Sequence, residues 1–207
     1  MTGEPREQEL KYKLDSEADY QAVLDACDPI NGRPRSVFSN NYFDTPDLHL
    51  ARNKAMLRIR SGNGLVLCFK KGGEKEGCPG FFDVVEVEGR AEHRLLESAL
   101  DDPDSLLNYS HPAMNSARKH FSLDKLKYLG SLETVRRYRR YEGFLLECDE
   151  VNYPDGSRVY EIEVETVDPE LARNKLIKLF GEAGVAAHPQ SRSKLQGLLR
   201  WAGLLAE

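Results

Sequence analysis

The sequence predicts an α+β fold in which seven or eight antiparallel strands form a barrel or a sandwich. Three observations lead to this prediction. Charged and apolar residues alternate in seven runs, so each run has one charged and one apolar face when it is extended. Few segments between the runs carry apolar residues at helical spacing. The charged faces are so dense that we expect them to line the interior of a barrel, with helices covering its apolar outer faces.

The first run shows the alternation most clearly. From Glu7 to Lys13 every second residue is charged, whereas Leu10, Tyr12 and Leu14 share the other face. The same pattern predicts strands further along the chain. The other six runs are Met56–Arg60, Leu65–Lys70, Asp83–Glu88, Val135–Tyr141, Phe144–Asp149 and Tyr160–Thr166.

Rows of charge stand on these faces, and the longest acidic row is Glu161, Glu163 and Glu165. Carboxylates at such close positions on a sheet repel one another unless cations lie between them. A solvated face is an adequate explanation for any single row, but five rows in one chain favour a charged interior. The other four rows are Glu7/Glu9/Lys11/Lys13, Arg58/Arg60, Glu86/Glu88 and Glu147/Asp149.

Helices are predicted in four segments. Ser16, with Asp19 three residues later, resembles a capping box, and Pro169 opens a helix that ends near Gly184. The other two segments are Glu92–Leu100 and Leu195–Leu205, and residues 101–120 are expected to form a loop or short helices. Because no linker divides the chain, residues 1–207 are interpreted as one domain.

Composition argues against several classes of function. The net charge of −5 is opposite in sign to the basic field of a general nucleic-acid or membrane-surface binder. No apolar stretch approaches the roughly 20 residues that a membrane-spanning helix needs, and the first residues lack the apolar core of a secretory signal. The four cysteines form no CxxC pair, which indicates buried thiols in a reducing compartment. We therefore expect a cytoplasmic protein, and we expect it to be a monomer.

A lumen with both signs of charge suits a polyphosphate and its metal. Arginine and lysine neutralise phosphate oxygens, and carboxylates bind hard cations such as Mg²⁺ or Mn²⁺. Phosphoryl transfer depends mainly on positioning and charge neutralisation, so it needs no serine or cysteine nucleophile. The sequence has no GxxxxGK[ST] loop, so the phosphates must be held by side chains.

A series of short motifs occurs in a characteristic order along the chain. The first is ExExK, formed by Glu7, Glu9 and Lys11. It is followed by YFDTP at 42–46, LRIR at 57–60, a strand ending at Lys70, LECD at 146–149, YEIEVE at 160–165 and Ser193-Lys194. In this order the motifs resemble the CYTH superfamily, the triphosphate tunnel metalloenzymes. Within that superfamily the chain is most similar to the plant-type short inorganic triphosphatases and to thiamine triphosphatase.

The resemblance implies an eight-stranded antiparallel β-barrel, a tunnel with a charged lumen and helices packed outside. It also implies the roles of individual residues. The metal ligands would be Glu7, Glu9, Asp149, Glu163 and Glu165, with Glu86 and Glu88 completing the acidic lining. The substrate-binding residues would be Lys11, Lys13, Arg58, Arg60, Lys70, Arg136 and Lys194. The catalytic residues would be Glu7, Glu9, Lys11, Lys70 and Lys194.

Two positions depart from the pattern of the superfamily. Ser39 stands where some members have a basic residue that would contact a phosphate. In this chain the contact is either missing or supplied by Arg35 or Lys13. Arg136 and Arg140 share one strand face within a run of four arginines, so either of them could face the lumen.

The activity implied by the resemblance is metal-dependent hydrolysis of a triphosphate. We expect inorganic tripolyphosphate to be cleaved to diphosphate and phosphate, because the sequence shows no aromatic or amide cluster for a purine. The alternatives are hydrolysis of thiamine triphosphate or a nucleoside triphosphate and, with less support, adenylyl cyclase chemistry. A binding module without turnover is a further alternative, which the intact set of carboxylates disfavours.

Overall fold

The computed structural model describes residues 3–32 and 35–205. The strands are β1 Arg6–Leu14, β2 Asp28–Pro29, β3 Ser36–Asp44, β4 Ala55–Ser61, β5 Val66–Glu74, β6 Phe81–Arg90, β7 Lys127–Tyr141, β8 Phe144–Asn152, β9 Arg158–Glu165 and β10 Ala187–Pro189. The helices are α1 Glu17–Asp25, α2 His49–Arg52, α3 Leu95–Asp101, α4 Pro112–His120, α5 Pro169–Ala183 and α6 Lys194–Trp201, with a 3₁₀ helix at Pro103–Asn108.

Eight of the strands form a closed antiparallel barrel. Their order around it is β1, β6, β5, β4, β3, β7, β8 and β9, and β9 pairs with β1 to complete the circle. Lys11 lies opposite Glu163 at this closing pair. The short strands β2 and β10 are additions that pair with β7 and β1. The predicted eight-stranded barrel is therefore confirmed.

The apolar faces of the strands point outwards and are covered by helices. On one side α1 and α5 pack on residues such as Leu10 and Ile162. On another side α3 and α4 pack on Leu57, Ile59 and Phe69. These strand residues are almost wholly buried. Burial of apolar area outside the barrel stabilises the fold, so the lumen is free to be polar.

Helix α6 packs on an apolar cluster that belongs to the barrel wall. Leu195 and Leu198 contact a cluster that includes Tyr42, Leu132 and Val151. The helix has a complete capping box, in which the Ser193 hydroxyl accepts the Gln196 N–H and the Gln196 side chain accepts the Ser193 N–H. Lys194 is the first residue of the helix, and its side chain lines the cavity of the barrel.

The predicted elements agree with the structure in most places. All seven charged runs lie in barrel strands, Ser16 and Asp168 cap α1 and α5, and Gly184 ends α5 with a φ of 68°. Residues 101–120 form short helices, which was one of the two predicted outcomes. The C-terminal helix ends at Trp201 and is shorter than expected. Gly203, two residues later, has a left-handed backbone conformation with a φ of 68°, which is typical of the end of a helix.

Four elements were not predicted from the pattern, namely β2, β3, α2 and β10. Strand β3 has polar residues on both faces, such as Asn40 and Asn41, so it shows no alternation. Helix α2 is too short to show helical spacing. Its backbone is held by the Asp44 carboxylate, which accepts the N–H groups of Leu50 and Ala51 at 2.8 and 2.9 Å. No helix in the described ranges is both long and apolar enough to cross a membrane.

Candidate active site in the barrel lumen

The lumen encloses a cavity of about 480 Å³ with a highly charged lining. Its cations and carboxylates come from seven barrel strands and from the start of α6, because alternate residues of each strand point inwards. The cations include Lys11, Arg58, Arg60, Lys70, Arg136 and Lys194, and the carboxylates include Glu7, Glu9, Glu86, Glu88, Glu147, Glu163 and Glu165.

One group of carboxylates, which we call the open acidic group, consists of Glu7, Glu86 and Glu165. Lys70 pairs with this group. It forms an ion pair with Glu7 and a second one with Glu86, in which the two atoms are 3.2 Å apart. Burial raises the pKa of Glu7 and outweighs the opposing charge of Lys70, and Glu86 adds to the rise. Burial, Glu7 and Glu9 also raise the pKa of Glu165. This group carries more negative charge than its surroundings neutralise, which favours binding of a cation.

A second group, the paired group, consists of Asp149, Glu163 and the two cations Arg136 and Lys194. Arg136 donates to both oxygens of Asp149 at 2.6 Å and to Glu163 at 3.0 Å. Lys194 contacts Asp149 at 2.9 Å and Glu163 at 2.6 Å. Burial alone would raise the pKa of Glu163, but Lys11, Lys194 and Arg136 together hold it well below its usual value. These carboxylates are therefore ionised and already neutralised.

Lys11 joins Glu163 of the paired group to Glu9. Its Nζ lies 3.0 Å from Glu9 Oε1 and 3.0 Å from Glu163 Oε1. Burial would lower the pKa of Lys11, but Glu163 and Glu9 outweigh burial and raise it. The lysine is therefore charged in the centre of the lumen.

The two arginines of LRIR are less strongly paired than Arg136. Arg58 forms no ion pair with a carboxylate among the described residues, and its buried Nε has no hydrogen-bond partner there. Arg60 lies 3.4 Å from Glu88 and stacks over the Phe38 ring at 5.3 Å. A buried guanidinium nitrogen without a partner is costly unless a ligand satisfies it. Both arginines are thus suited to contact an anion.

Two predicted site residues, Lys13 and Asp149, lie outside the cavity lining. Lys13 is exposed, because β1 exchanges its neighbour β6 for β10 beyond Leu10 and leaves the closed part of the barrel. Asp149 has no exposed surface and lies behind Arg136 and Lys194, which occupy both of its oxygens.

The structure also resolves the alternatives left open at the departures from the pattern. Arg136 lines the cavity, whereas Arg140 is exposed and lies opposite Asp28 on β2. Arg35 is exposed as well and does not replace the basic residue that Ser39 lacks.

Aromatic and amide side chains line the cavity where the sequence suggested none. They are Phe38, Asn40, Tyr42, Phe82 and Tyr138, accompanied by the hydroxyl of Thr134. Three of them occupy alternate positions of β3 immediately before and within YFDTP. That spacing was the available signal, but both faces of β3 mix polar and apolar residues, which concealed it.

One further group of possible metal ligands lies in the wall of the lumen. Ligand atoms of Cys68, Glu86 and Glu88 all lie within 4.8 Å of one another. Burial raises the pKa of the Cys68 thiol to about 12, so the thiol is protonated and is a poor partner for a hard cation. The carboxylates are the relevant donors here.

Comparison with known proteins agrees with this geometry. A family model of the CYTH domain matches residues 5–191. The chain belongs to the CYTH family. A search of curated proteins by sequence found no match.

Solved structures of several proteins share the fold. A protein from Hippeastrum, named as an adenylyl cyclase candidate and described as having a dominant triphosphatase activity, is 27% identical with a TM-score of 0.80, and the match covers 97% of each chain. A protein from Bacillus halodurans, also named as an adenylate cyclase candidate, is 22% identical with a TM-score of 0.72, covering 93% of this chain and 97% of the other. A protein from Pyrococcus horikoshii is 19% identical with a TM-score of 0.62, covering 93% and 99%.

Proposed function

We propose that this CYTH protein is a divalent-metal-dependent triphosphatase that acts on inorganic tripolyphosphate and releases diphosphate and phosphate. The observation that carries the proposal is a closed lumen in which seven cations, Lys54 among them, line one cavity beside an under-neutralised group of carboxylates. The triphosphatase activity described for the Hippeastrum protein, which shares 27% of its residues with this chain, supports the proposal.

The open acidic group, together with Glu9, fits a divalent metal. Its donors are carboxylate oxygens, the ligands that Mg²⁺ and Mn²⁺ prefer, and burial together with neighbouring carboxylates raises the pKa values of Glu7 and Glu165. Glu163 could add an oxygen from the adjoining paired group. When bound, the metal would neutralise phosphate oxygens and orient the chain of phosphates.

The basic residues would hold the triphosphate. Arg58 and Arg60 can each donate two parallel hydrogen bonds to phosphate oxygens, and Lys11, Lys70 and Lys194 supply localised positive charge. A water molecule would attack the terminal phosphorus in line with the bridging oxygen. The bond to that oxygen would break, and diphosphate would leave with the electron pair while a lumen carboxylate accepts a proton from the water.

Organic triphosphates are the second candidate substrates, and a specific observation favours them. Phe38 lies in the lining beneath Arg60, and Tyr138 lines the same cavity, so an aromatic group attached to a triphosphate could stack there. Thiamine triphosphate and nucleoside triphosphates both have such a group. Adenylyl cyclase chemistry would need attack at the phosphorus next to the nucleoside, and it is the least supported alternative.

One comparison of substrates tests these proposals. Phosphate release is measured from tripolyphosphate, thiamine triphosphate and ATP, each with Mg²⁺ or Mn²⁺, and cyclic AMP is assayed with ATP. We expect the highest kcat/KM for tripolyphosphate, no turnover after the metal is chelated, and no cyclic AMP. Preference for an organic substrate would overturn the assignment of tripolyphosphate. Absence of phosphate release from all three would overturn the triphosphatase proposal.

A further inference from the structure

We propose that Asp149 is a positioning residue, which holds Arg136 and Lys194 side by side for the substrate and does not bind the metal. The inference rests on the proposed function, because it assigns a role within the same site. It departs from the metal-ligand role that the sequence motif implied for this residue.

Both carboxylate oxygens of Asp149 already contact cationic side chains. Oδ1 accepts from Arg136 Nε at 2.6 Å, and Oδ2 accepts from Arg136 Nη2 at 2.6 Å. Oδ2 also contacts Lys194 Nζ at 2.9 Å. A bidentate pair with arginine has a fixed geometry, so a metal would have to displace two cations to reach this carboxylate.

Asp149 lies behind the cavity surface. Asp149 has no exposed surface and is absent from the cavity lining, whereas Arg136 and Lys194 line the cavity in front of it. The carboxylate therefore contacts the residues that face the substrate rather than the space that the substrate fills. Mg²⁺ usually retains several waters, which need room that a fully buried carboxylate does not offer.

Asp149 also joins separate elements of the fold. Arg136 belongs to β7, Asp149 to β8 and Lys194 to α6, so one carboxylate attaches the start of α6 to the barrel wall. Glu161 supports the same lysine at 3.0 Å and is itself held by the Gln190 side chain at 2.9 Å. Arg136 and Lys194 share one oxygen of Asp149, and without its charge these two neighbouring cations would repel each other.

Asp149 should therefore affect substrate binding and metal binding differently. Loss of the Asp149 charge should separate Arg136 and Lys194 and weaken substrate binding. It should leave the affinity of the metal almost unchanged, because the open acidic group is intact.

The experiment compares three variants of the full chain, Asp149→Asn, Glu7→Gln and Glu150→Gln. Glu150 is the matched control, because it follows Asp149 on β8 and contacts Arg137 and Arg158, which do not line the cavity. For each variant, KM for tripolyphosphate and the half-saturating Mn²⁺ concentration are measured. We expect Asp149→Asn to raise KM at least tenfold with a metal half-saturation within twofold of wild type. Glu7→Gln should shift the metal half-saturation tenfold or more, and Glu150→Gln should change neither.

An increase in the metal half-saturation for Asp149→Asn as large as that for Glu7→Gln would overturn the inference. A double-mutant cycle with Lys194→Ala adds a readout that a merely structural role would not move. If Asp149 acts through Lys194, its effect on KM should largely disappear in the Lys194→Ala background. Full additivity of the two substitutions would contradict the inference.

Direct binding of Mn²⁺, measured by electron paramagnetic resonance, separates this inference from the proposed function. If the wild-type protein hydrolyses no triphosphate, the proposed function fails, and Mn²⁺ binding to wild type and Asp149→Asn still tests whether Asp149 is a ligand. Should Asp149→Asn fail to fold, Asp149→Glu, which retains the charge with one more methylene, is measured in the same way. Weakened Mn²⁺ binding in that variant would overturn the inference.

Discussion

Glu7 and Glu163 lie in one lumen, and burial disfavours the charged form of both, yet the pKa of Glu7 is raised and that of Glu163 is lowered. The difference lies in their neighbours. Glu163 is surrounded by Lys11, Lys194 and Arg136, whereas Glu7 shares a single lysine with the carboxylate of Glu86. Local charge balance therefore divides the lumen into a group that needs a cation and a group that is already neutral.

The division suggests where each part of a metal–triphosphate complex would bind. A divalent cation gains most at the open acidic group, where it relieves repulsion among carboxylates. The paired group supplies cations on a rigid support, which suits an anion that must be held in one orientation.

Removal of the Lys194 side chain should have the largest effect on catalysis. Lys194 contacts Asp149, Glu161 and Glu163 at the cavity surface and would neutralise charge that develops on the phosphates. We expect Lys194→Ala to lower kcat for the hydrolysed triphosphate by roughly 100- to 1,000-fold, as for loss of one preorganised electrostatic donor. Lys178→Ala, at an exposed lysine that pairs with Glu142, is the control and should retain full activity. Comparable activity in the two variants would contradict the proposed role.

Neutralising one carboxylate from each group should affect stability in opposite ways. Glu163→Gln removes the carboxylate that Lys11, Lys194 and Arg136 share, so it should lower the free energy of unfolding by up to about 3–5 kcal/mol. Glu7→Gln should leave the stability of the metal-free protein unchanged or increase it, because the raised pKa shows that the ionised form is unfavourable in the folded state. Urea denaturation at pH 7 measures both. Equal losses in the two variants would show that the two groups do not differ.

Metal binding should stabilise the wild-type protein through the open acidic group. A ligand at 100 times its dissociation constant adds about 2.7 kcal/mol to the free energy of unfolding. We expect Mg²⁺ or Mn²⁺ to raise Tm and a chelator to reverse the change. Glu165→Gln should weaken this response, and Glu150→Gln should retain it. A response that is unaffected by Glu165→Gln would place the metal elsewhere.

The two groups should also respond to pH in opposite directions. The folded protein holds protons on Glu7 and Glu165 more tightly than the unfolded chain does, so their contribution to stability falls as pH rises from 4.5 through their raised pKa values. Asp149 and Glu163 have lowered pKa values, so they contribute to stability at pH values above their ordinary pKa values of 3.8 and 4.5. This contribution to stability is lost as pH falls.

Protons compete with the metal at the open acidic group. The dissociation constant for Mn²⁺, measured calorimetrically from pH 5 to 8, should therefore decrease as pH rises.

The smallest effect is expected for the ion pair between Arg60 and Glu88. Its atoms are 3.4 Å apart and the Glu88 side chain is 41% exposed, so solvent screens the interaction. Glu88→Gln should change the free energy of unfolding by no more than about 1 kcal/mol. A larger loss in thermal or urea denaturation would mean that Glu88 belongs with the strongly coupled lumen residues.

Several parts of the site could be predicted from local sequence because strand geometry is periodic. Alternation along β1, β5 and β9 was sufficient to place Glu7, Lys11, Lys70 and Glu163 on inward faces. The order of the motifs then identified the family and the number of strands. Strand β3 was not predicted because polar and apolar residues are mixed on both of its faces, and the lining residues Phe38 and Asn40 were missed with it.

The sequence by itself therefore determined which residues are charged, which faces they share and which family they belong to. Only the tertiary structure decided how far each lumen carboxylate is neutralised. Asp149 and Glu165 both belong to charged rows, but one is enclosed by Arg136 and Lys194 and the other lies near two more carboxylates. Those neighbours come from strands and a helix that are distant along the chain. Electrostatic energy depends on distance in space rather than on position in the sequence, so only the closed barrel could distinguish the two residues.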